Sequence, residues 1–270
     1  AHRTDFINEI DWQSANSLLK AEFPFNLDNE KATYDLGVGS VQRGNNTPTA
    51  YEVYAQYWAD LTDSNGSYGV SVMNDSKYGW DNNTLRLTLL HTPKTKEHYA
   101  YQNCQDFGYH TFTYSLIGHA GALDVVQIRE EAESLNQRIK AFATEKHSGE
   151  LGRKYSLAFS NNRNVLIKAL KKAESSDEYV VRVYETGGKL AQEASIVFAD
   201  NIVAAVEADG TEKTINKADF SGNCLKVFIN PNSIKTYKVR FASERKAQMV
   251  TKPLLLTYDK KCFSWNEFKT

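Results

Sequence analysis

Cysteine is scarce: Cys104, Cys224 and Cys262 stand far apart, odd in number and without a CxxC pair. That pattern argues against a disulfide framework and against a cysteine-based structural zinc site, and leaves open whether one distant pair bridges. Long apolar runs are lacking too; none approaches the ~20 residues that span a bilayer. An excess of either charge is missing, since 32 Lys and Arg face 33 Asp and Glu. Nothing in that balance steers the chain towards nucleic acid or an anionic membrane surface. There is no repeat at a solenoid period and no low-complexity tract. The opening AHRTDFINEIDW holds neither a signal-peptide pattern nor an initiating Met. The chain therefore reads as a soluble fragment or processed product, with its compartment left open.

What is abundant is aromatic: fifteen Tyr and thirteen Phe, against five Pro and two Met. Aromatic and β-branched side chains pack well on a pleated surface, so the bias favours strands. A length of 270 residues fits one large or two medium domains with a sizeable core. Partial period-2 alternation predicts strands at Phe23–Leu27, Tyr51–Trp58, Tyr68–Met73, Leu85–Leu90 and His110–Leu116. Turn chemistry separates them at Gly39–Pro48, Asp63–Ser67 and Asp81–Thr84. Helical spacing appears only at Val126–Phe142, where Leu135, Ile139 and Phe142 recur with charges between them. Gly149 and Gly152 close that segment, which places a boundary there. Strands resume at Tyr155–Phe159, Val165–Leu170, Tyr179–Glu185, Ser195–Phe198, Cys224–Ile229 and Thr236–Phe241. Lys168–Glu174 suits a helix or a strand. The expectation is an all-β chain of two domains, 1–150 ending in a short helix and 151–270 forming a β-sandwich.

The residues offer no evident active site. His91, His98, His110 and His119 lie near Cys104, but their irregular spacing favours scattered histidines over a metal set. Asp60/Asp63, Asp75/Asp81 and Glu130/Glu131/Glu133 are carboxylate groupings of the kind that solvated turns and helix faces produce routinely. Gly37–Ser40 lacks the strand–loop–helix setting of a phosphate cradle, and no GxSxG elbow is present. Asn45, Asn65 and Asn82 open N-x-S/T triplets. More informative is an aromatic and polar stretch, with Trp58, Tyr78 and Trp80 beside Asn74, Asp75 and Lys77. Such a mixture suits sugars, although Trp58 as core and the Asn-Asp-Ser turn as a strand cap is the plainer alternative.

Several segments resemble one family in colinear order. Ile10–Pro24 (IDWQSANSLLKAEFP), Ala32–Arg43 (ATYDLGVGSVQR), Tyr51–Asp63 and, most closely, Tyr68–Pro93 (YGVSVMNDSKYGWDNNTLRLTLLHTP) are similar to glycoside hydrolase family 38 α-mannosidases. His110–Leu116, Leu166–Tyr184 and Asn230–Tyr237 continue the likeness. The resemblance implies a portion of a mutarotase-like β-supersandwich followed by a smaller β-sandwich. It also implies a retaining, zinc-dependent hydrolysis of α-mannosides whose zinc ligands and carboxylates lie in an N-terminal catalytic domain outside this chain. No metal is then expected here. The implied partners are that catalytic domain and mannose-containing glycans, with homo-oligomers left open and no nucleic acid or membrane. The resemblance further implies substrate contacts at Arg43, Asp75, Lys77, Tyr78 and His91, with no catalytic residue. Many relatives carry Arg where this chain has His91, replacing a permanent fork by a group that titrates near neutrality. For Asp75 and Lys77 the alternative is a strand-to-turn pair that fixes the sandwich. The tail KPLLLTYDKKCFSWNEF resembles the opening of a further segment. Two other expectations are carried forward: a free-standing carbohydrate-binding module that stacks sugar on Trp58, Tyr78 and Trp80, and a purely structural or oligomerising domain.

Overall fold

A computed structural model describes residues 3–243, apart from 45, 50, 82–84, 142, 144, 147, 150 and 152–153. Ten strands come first: β1 (Thr4–Trp12), β2 (Ser17–Glu22), β3 (Lys31–Asp35), β4 (Ser40–Gly44), β5 (Val53–Tyr54), β6 (Trp58–Thr62), β7 (Tyr68–Asn74), β8 (Gly79–Asp81), β9 (Arg86–Thr92) and β10 (Gly108–Ala120). They form a six-stranded sheet, β1-β10-β7-β6-β3-β4, and a four-stranded sheet, β2-β9-β8-β5. Trp12, Phe23, Tyr34, Leu61, Val72, Trp80, Leu87, Leu90 and Phe112 fill a shared core.

The six-stranded sheet is covered on its other face by helix α1 (Val125–Asn136), which packs Ile128, Ala132 and Leu135 against Trp58, Met73 and Ile117. Cover on both faces explains why β6 and β7 are buried nearly throughout instead of alternating between buried and exposed. Asp124 caps α1, its carboxylate accepting from the amides of Val126 and Gln127 at 3.1 Å.

Nine further strands make a second sandwich: β11 (Ala158–Ser160), β12 (Val165–Lys172), β13 (Tyr179–Glu185), β14 (Ala191–Phe198), β15 (Ile202–Ala208), β16 (Thr214–Lys217), β17 (Phe220–Ser221), β18 (Cys224–Ile229) and β19 (Ile234–Phe241). The sheets β11-β14-β18-β17 and β12-β13-β19-β15-β16 enclose Val181, Val183, Ile196, Phe198, Leu225, Val227 and Val239.

The two sandwiches meet at Arg129, whose side chain is 1% exposed. Its guanidinium donates to Asp35 Oδ1 at 2.6 Å, the Gly37 carbonyl at 3.0 Å and the Tyr184 hydroxyl at 2.7 Å. Asp35 comes from β3, Arg129 from α1 and Tyr184 from β13, so one cation joins both units. The Tyr184 hydroxyl in turn donates to Glu133. Nearby, Gly39 has φ +74°, and a Cβ there would lie 2.7 Å from Asn232 of the second sandwich. Only glycine meets both the conformation and the close approach. The buried Glu185 carboxylate holds the opposing turn, accepting from the amides of Asn232 and Gly187.

Several expected boundaries are corrected. Phe23–Leu27 is not a strand: β2 ends at Glu22, and Pro24 lacks the amide a continuing ladder needs. Tyr51–Trp58 splits into β5 and β6, because Asp35 captures the chain between them. Its carbonyl accepts the Gln56 amide and its carboxylate the Tyr57 amide. β4 occupies part of the stretch Gly39–Pro48, expected to be a turn. The helix stops at Asn136, with Gln137 at φ −119°, ψ 73°, and Ile139 is 97% exposed. Phe142, Gly152, Leu254–Leu256 and Cys262 lie outside the described residues. The ambiguous Lys168–Glu174 stretch resolves as β12 followed by a bend. Tyr155–Phe159 contributes only the short β11.

Removing the central cation leaves Asp35 buried at 0% exposure without its charge partner, which costs about 3–5 kcal/mol. Arg129→Met is therefore expected to lower the unfolding free energy by that amount in a urea titration. Arg163→Ala, which breaks the solvated Arg163–Asp124 pair at the same domain junction, costs under about 1 kcal/mol.

Candidate functional site

The residues expected to touch substrate fall on two neighbouring features of the first sandwich. The first is the turn after β7. Asn74, 1% exposed, accepts from the amides of Ser76 at 3.0 Å and Lys77 at 2.6 Å. This Asx-type geometry follows from a short amide side chain at a strand end. Asp75 Oδ2 accepts the Thr113 amide at 3.0 Å, and Oδ1 accepts the Ser76 hydroxyl at 2.9 Å. Both oxygens of Asp75 thus serve the strand-to-turn geometry, as the plainer alternative has it. Lys77 projects over the Phe112 ring, 4.4 Å from its centroid. Burial pushes its ammonium below the usual lysine range, partly offset by Asp106 and Asp75.

Asp106, which the sequence did not single out, is the hub of this feature. Its Oδ2 accepts the His91 amide at 2.9 Å, its carbonyl meets His110 Nε2 at 2.7 Å, and its charge acts on Lys77. It sits at φ +59°, a left-handed conformation that Asp tolerates better than most residues. The base of its loop is pinned: Trp12 Nε1 donates to Thr92 Oγ1 at 2.8 Å, and that hydroxyl bonds the Gln105 carbonyl. Asp75, Lys77, Asp106, His91 and His110 therefore gather where the β9–β10 loop meets the β7–β8 turn. They present both signs of charge on a fixed backbone, a mixture suited to orienting a polyhydroxylated ligand. The only sequence signal for Asp106 is an Asp-Phe-Gly turn two residues before the β10 pattern, which marks a turn without specifying a site.

The second feature holds Arg43 and Tyr78. Arg43 donates to the Tyr54 carbonyl at 2.6 Å and lies over the Tyr34 ring, while Tyr78 stacks beside Tyr54 with centroids 6.3 Å apart. Of the aromatic trio expected to stack on sugar, Trp58 and Trp80 are 0% exposed. Their rings belong to the core, which removes the module built on Trp58, Tyr78 and Trp80. Beside the first feature, a cleft of about 640 Å³ runs along Asp75, Ser76, Thr111 and residues Leu135–Arg138 at and just beyond the end of α1.

The four histidines do not form one cluster. His98 packs on Tyr99 in a 3-10 helix (Glu97–Gln102), His91 and His110 approach Asp106, and His119 lies with Asp60. Among the described residues no three His, Cys, Asp or Glu side chains are grouped as a metal site. Cys104 and Cys224 are both free. Two members of the carboxylate groupings are engaged in the fold: Asp81 is buried between Lys20 and Arg86 at 2.7 and 2.6 Å, and Asp60 accepts from Thr62, Ser71 and His119. Ser71, His119 and Asp60 are the three residue types of a hydrolytic triad. Here, however, serine and histidine both bond the carboxylate, so the histidine does not activate the serine.

Two family models match the chain: the glycosyl hydrolases family 38 C-terminal domain over residues 1–99, and the family 38 C-terminal beta sandwich domain over residues 164–237. Alpha-mannosidase G of Dictyostelium discoideum is 29% identical over 249 residues, covering 87% of this chain and 22% of that protein. Alpha-mannosidase 2C1 of Homo sapiens is 32% identical over 193 residues, covering 68% and 18%. The alpha-mannosidase of Saccharomyces cerevisiae is 28% identical over 264 residues, covering 85% and 23%. The chain thus spans about a fifth of the length of these relatives. The crystal structure of an alpha-mannosidase from Enterococcus faecalis superposes with a TM-score of 0.70 at 17% identity, over 89% of this chain and 28% of that one. A second Enterococcus faecalis family 38 structure gives 0.71 at 18%.

The Asp60–His119 pair makes stability depend on pH. Its hydrogen bond holds the imidazole pKa above the ordinary histidine value, against the opposing effect of burial. Both ring nitrogens face acceptors, Asp60 at 2.9 Å and the Gly121 carbonyl at 3.2 Å, as an imidazolium requires. A raised histidine pKa contributes stability that is complete below the unfolded value of about 6.5 and disappears as pH rises through the folded value. Between about pH 6 and pH 9 the unfolding midpoint of the wild type is expected to fall further than that of His119→Gln. Parallel pH profiles for the two proteins would contradict this.

Proposed function

The chain belongs to glycosyl hydrolase family 38 as its C-terminal β region, and we propose that it serves a retaining, zinc-dependent α-mannosidase as a non-catalytic part. In this reading it buttresses the catalytic domain and lends one wall to the sugar site. The observation that carries the proposal is the order of the two family matches, with α-mannosidases as relatives along most of the chain. In this reading the zinc ligands lie in the catalytic domain, outside this chain.

The chain's own contribution is positioning. Lys77, in the field of the Asp75 and Asp106 carboxylates, offers a hydrogen-bond donor to a sugar hydroxyl, and Asp106 offers an acceptor. The Asx turn and the Trp12–Thr92 pin fix both against the β scaffold, so little ordering is left for the moment of binding. His91, Arg43 and Tyr78 belong to the same proposed wall, with mannose-containing glycans as ligand. No helix among the described residues is long and apolar enough to cross a membrane.

In the intact enzyme, Asp106→Asn and Lys77→Met are expected to lower kcat/KM roughly tenfold to a hundredfold, as losing a charge-assisted hydrogen bond would, with bound zinc unchanged. The 270-residue chain alone is expected to leave an aryl α-mannoside intact with or without added zinc. Turnover by the pure chain would refute its non-catalytic assignment.

A further inference from the structure

We propose that Tyr54 and Tyr78 form a stacking platform for one pyranose ring of a glycan, next to the Lys77–Asp106 feature. The two rings come from adjacent strands: Tyr54 lies on β5, the edge of the four-stranded sheet, opposite Gly79, and Tyr78 immediately precedes that glycine. Their centroids are 6.3 Å apart and their planes 22° apart, so the two rings form a near-parallel aromatic pair. Each is about half exposed, at 49% and 48%. Tyrosine side chains offer about 150–250 Å² each, so the pair leaves roughly 200 Å² to solvent. That area matches the C–H face of one or two sugar rings.

What surrounds the rings fits the same ligand. Glu52, just before β5, pairs with Lys20 at 2.5 Å and bonds the Thr88 hydroxyl. Carboxylate, ammonium and hydroxyl therefore stand one row from the platform, able to accept from and donate to ring hydroxyls. Gly79 fits tightly between them: a Cβ there would come within 3.1 Å of Thr88 and 3.2 Å of Glu52. The strand itself is held by the Arg43 bond to the Tyr54 carbonyl and the Ala55 amide bond to the Tyr78 carbonyl. Rigid aromatic rings beside a fixed polar row bind with little loss of side-chain entropy.

The proposal rests on the mannosidase reading only for the identity of the sugar. The test is made on this chain by titrating α-linked mannotriose and following tyrosine ring resonances. Binding is expected in the range of about 1–10 mM, with the Tyr54 and Tyr78 signals shifting. Tyr54→Ala/Tyr78→Ala should weaken it roughly tenfold while the unfolding midpoint stays at its wild-type value. Tyr54→Phe/Tyr78→Phe should keep it, because the ring face carries the contact. Unshifted tyrosine signals at saturating sugar, or unchanged affinity in the alanine variant, would overturn the proposal. The proposed enzymatic role is read from the intact enzyme's turnover, so either reading can fail without the other.

Discussion

The Arg129 guanidinium holds the two β units of this chain in one arrangement. It reaches Asp35 on one sandwich and Tyr184 on the other from a helix that belongs to the junction. Asp35 does more than neutralise it, because the same carboxylate accepts the amides of Gly37 and Tyr57 and so shapes the β3–β4 turn and the start of β6. Isolated charges are very costly to bury, and this pair is tolerated because the acceptors around it are supplied by fixed backbone and by Tyr184. Burial pushes the Tyr184 hydroxyl far above the usual tyrosine pKa, which keeps it a neutral hydrogen-bonding group.

From that junction the rest of the first sandwich follows. α1 is held against Trp58 and Met73, its C-terminal end lies beside the β7–β8 turn, and Asn136 donates to the Asn74 carbonyl at 3.0 Å. The turn that presents Asp75 and Lys77 is thereby tied to the same helix that carries Arg129. Fold and candidate site share one support in α1.

Strands with one clean buried face were legible in the sequence. Cys224–Ile229 alternates and is observed as β18 with those bounds; Tyr179–Glu185, buried on both faces, was legible from its β-branched and aromatic run and is β13. Strands shaped by long-range partners were not: the break between β5 and β6 is set by Asp35, about twenty residues away in sequence. Arg129 was missed because a cation on the buried stripe of an amphipathic helix looks like one of its solvated charges until its partners are known. The family resemblance located the Asp75–Tyr78 turn and His91, and the structure ties both to one loop. It did not reveal Asp106, whose place depends on a left-handed backbone and on contacts across strands. Trp58 and Trp80 looked like sugar-stacking residues by composition and are core by geometry, while Tyr54, unremarked in the sequence, is the ring that faces solvent beside Tyr78.

The central claim is that the β9–β10 loop and the β7–β8 turn face the sugar site of the intact enzyme. Hydrogen exchange of the full-length protein, with and without a saturating mannose-like competitive inhibitor, tests it most directly. The account predicts slower exchange in peptides covering residues 75–78 and 91–110, and unchanged exchange in the second sandwich at 191–198 and 224–229. Unchanged exchange across both first-sandwich segments in the saturated enzyme would contradict it.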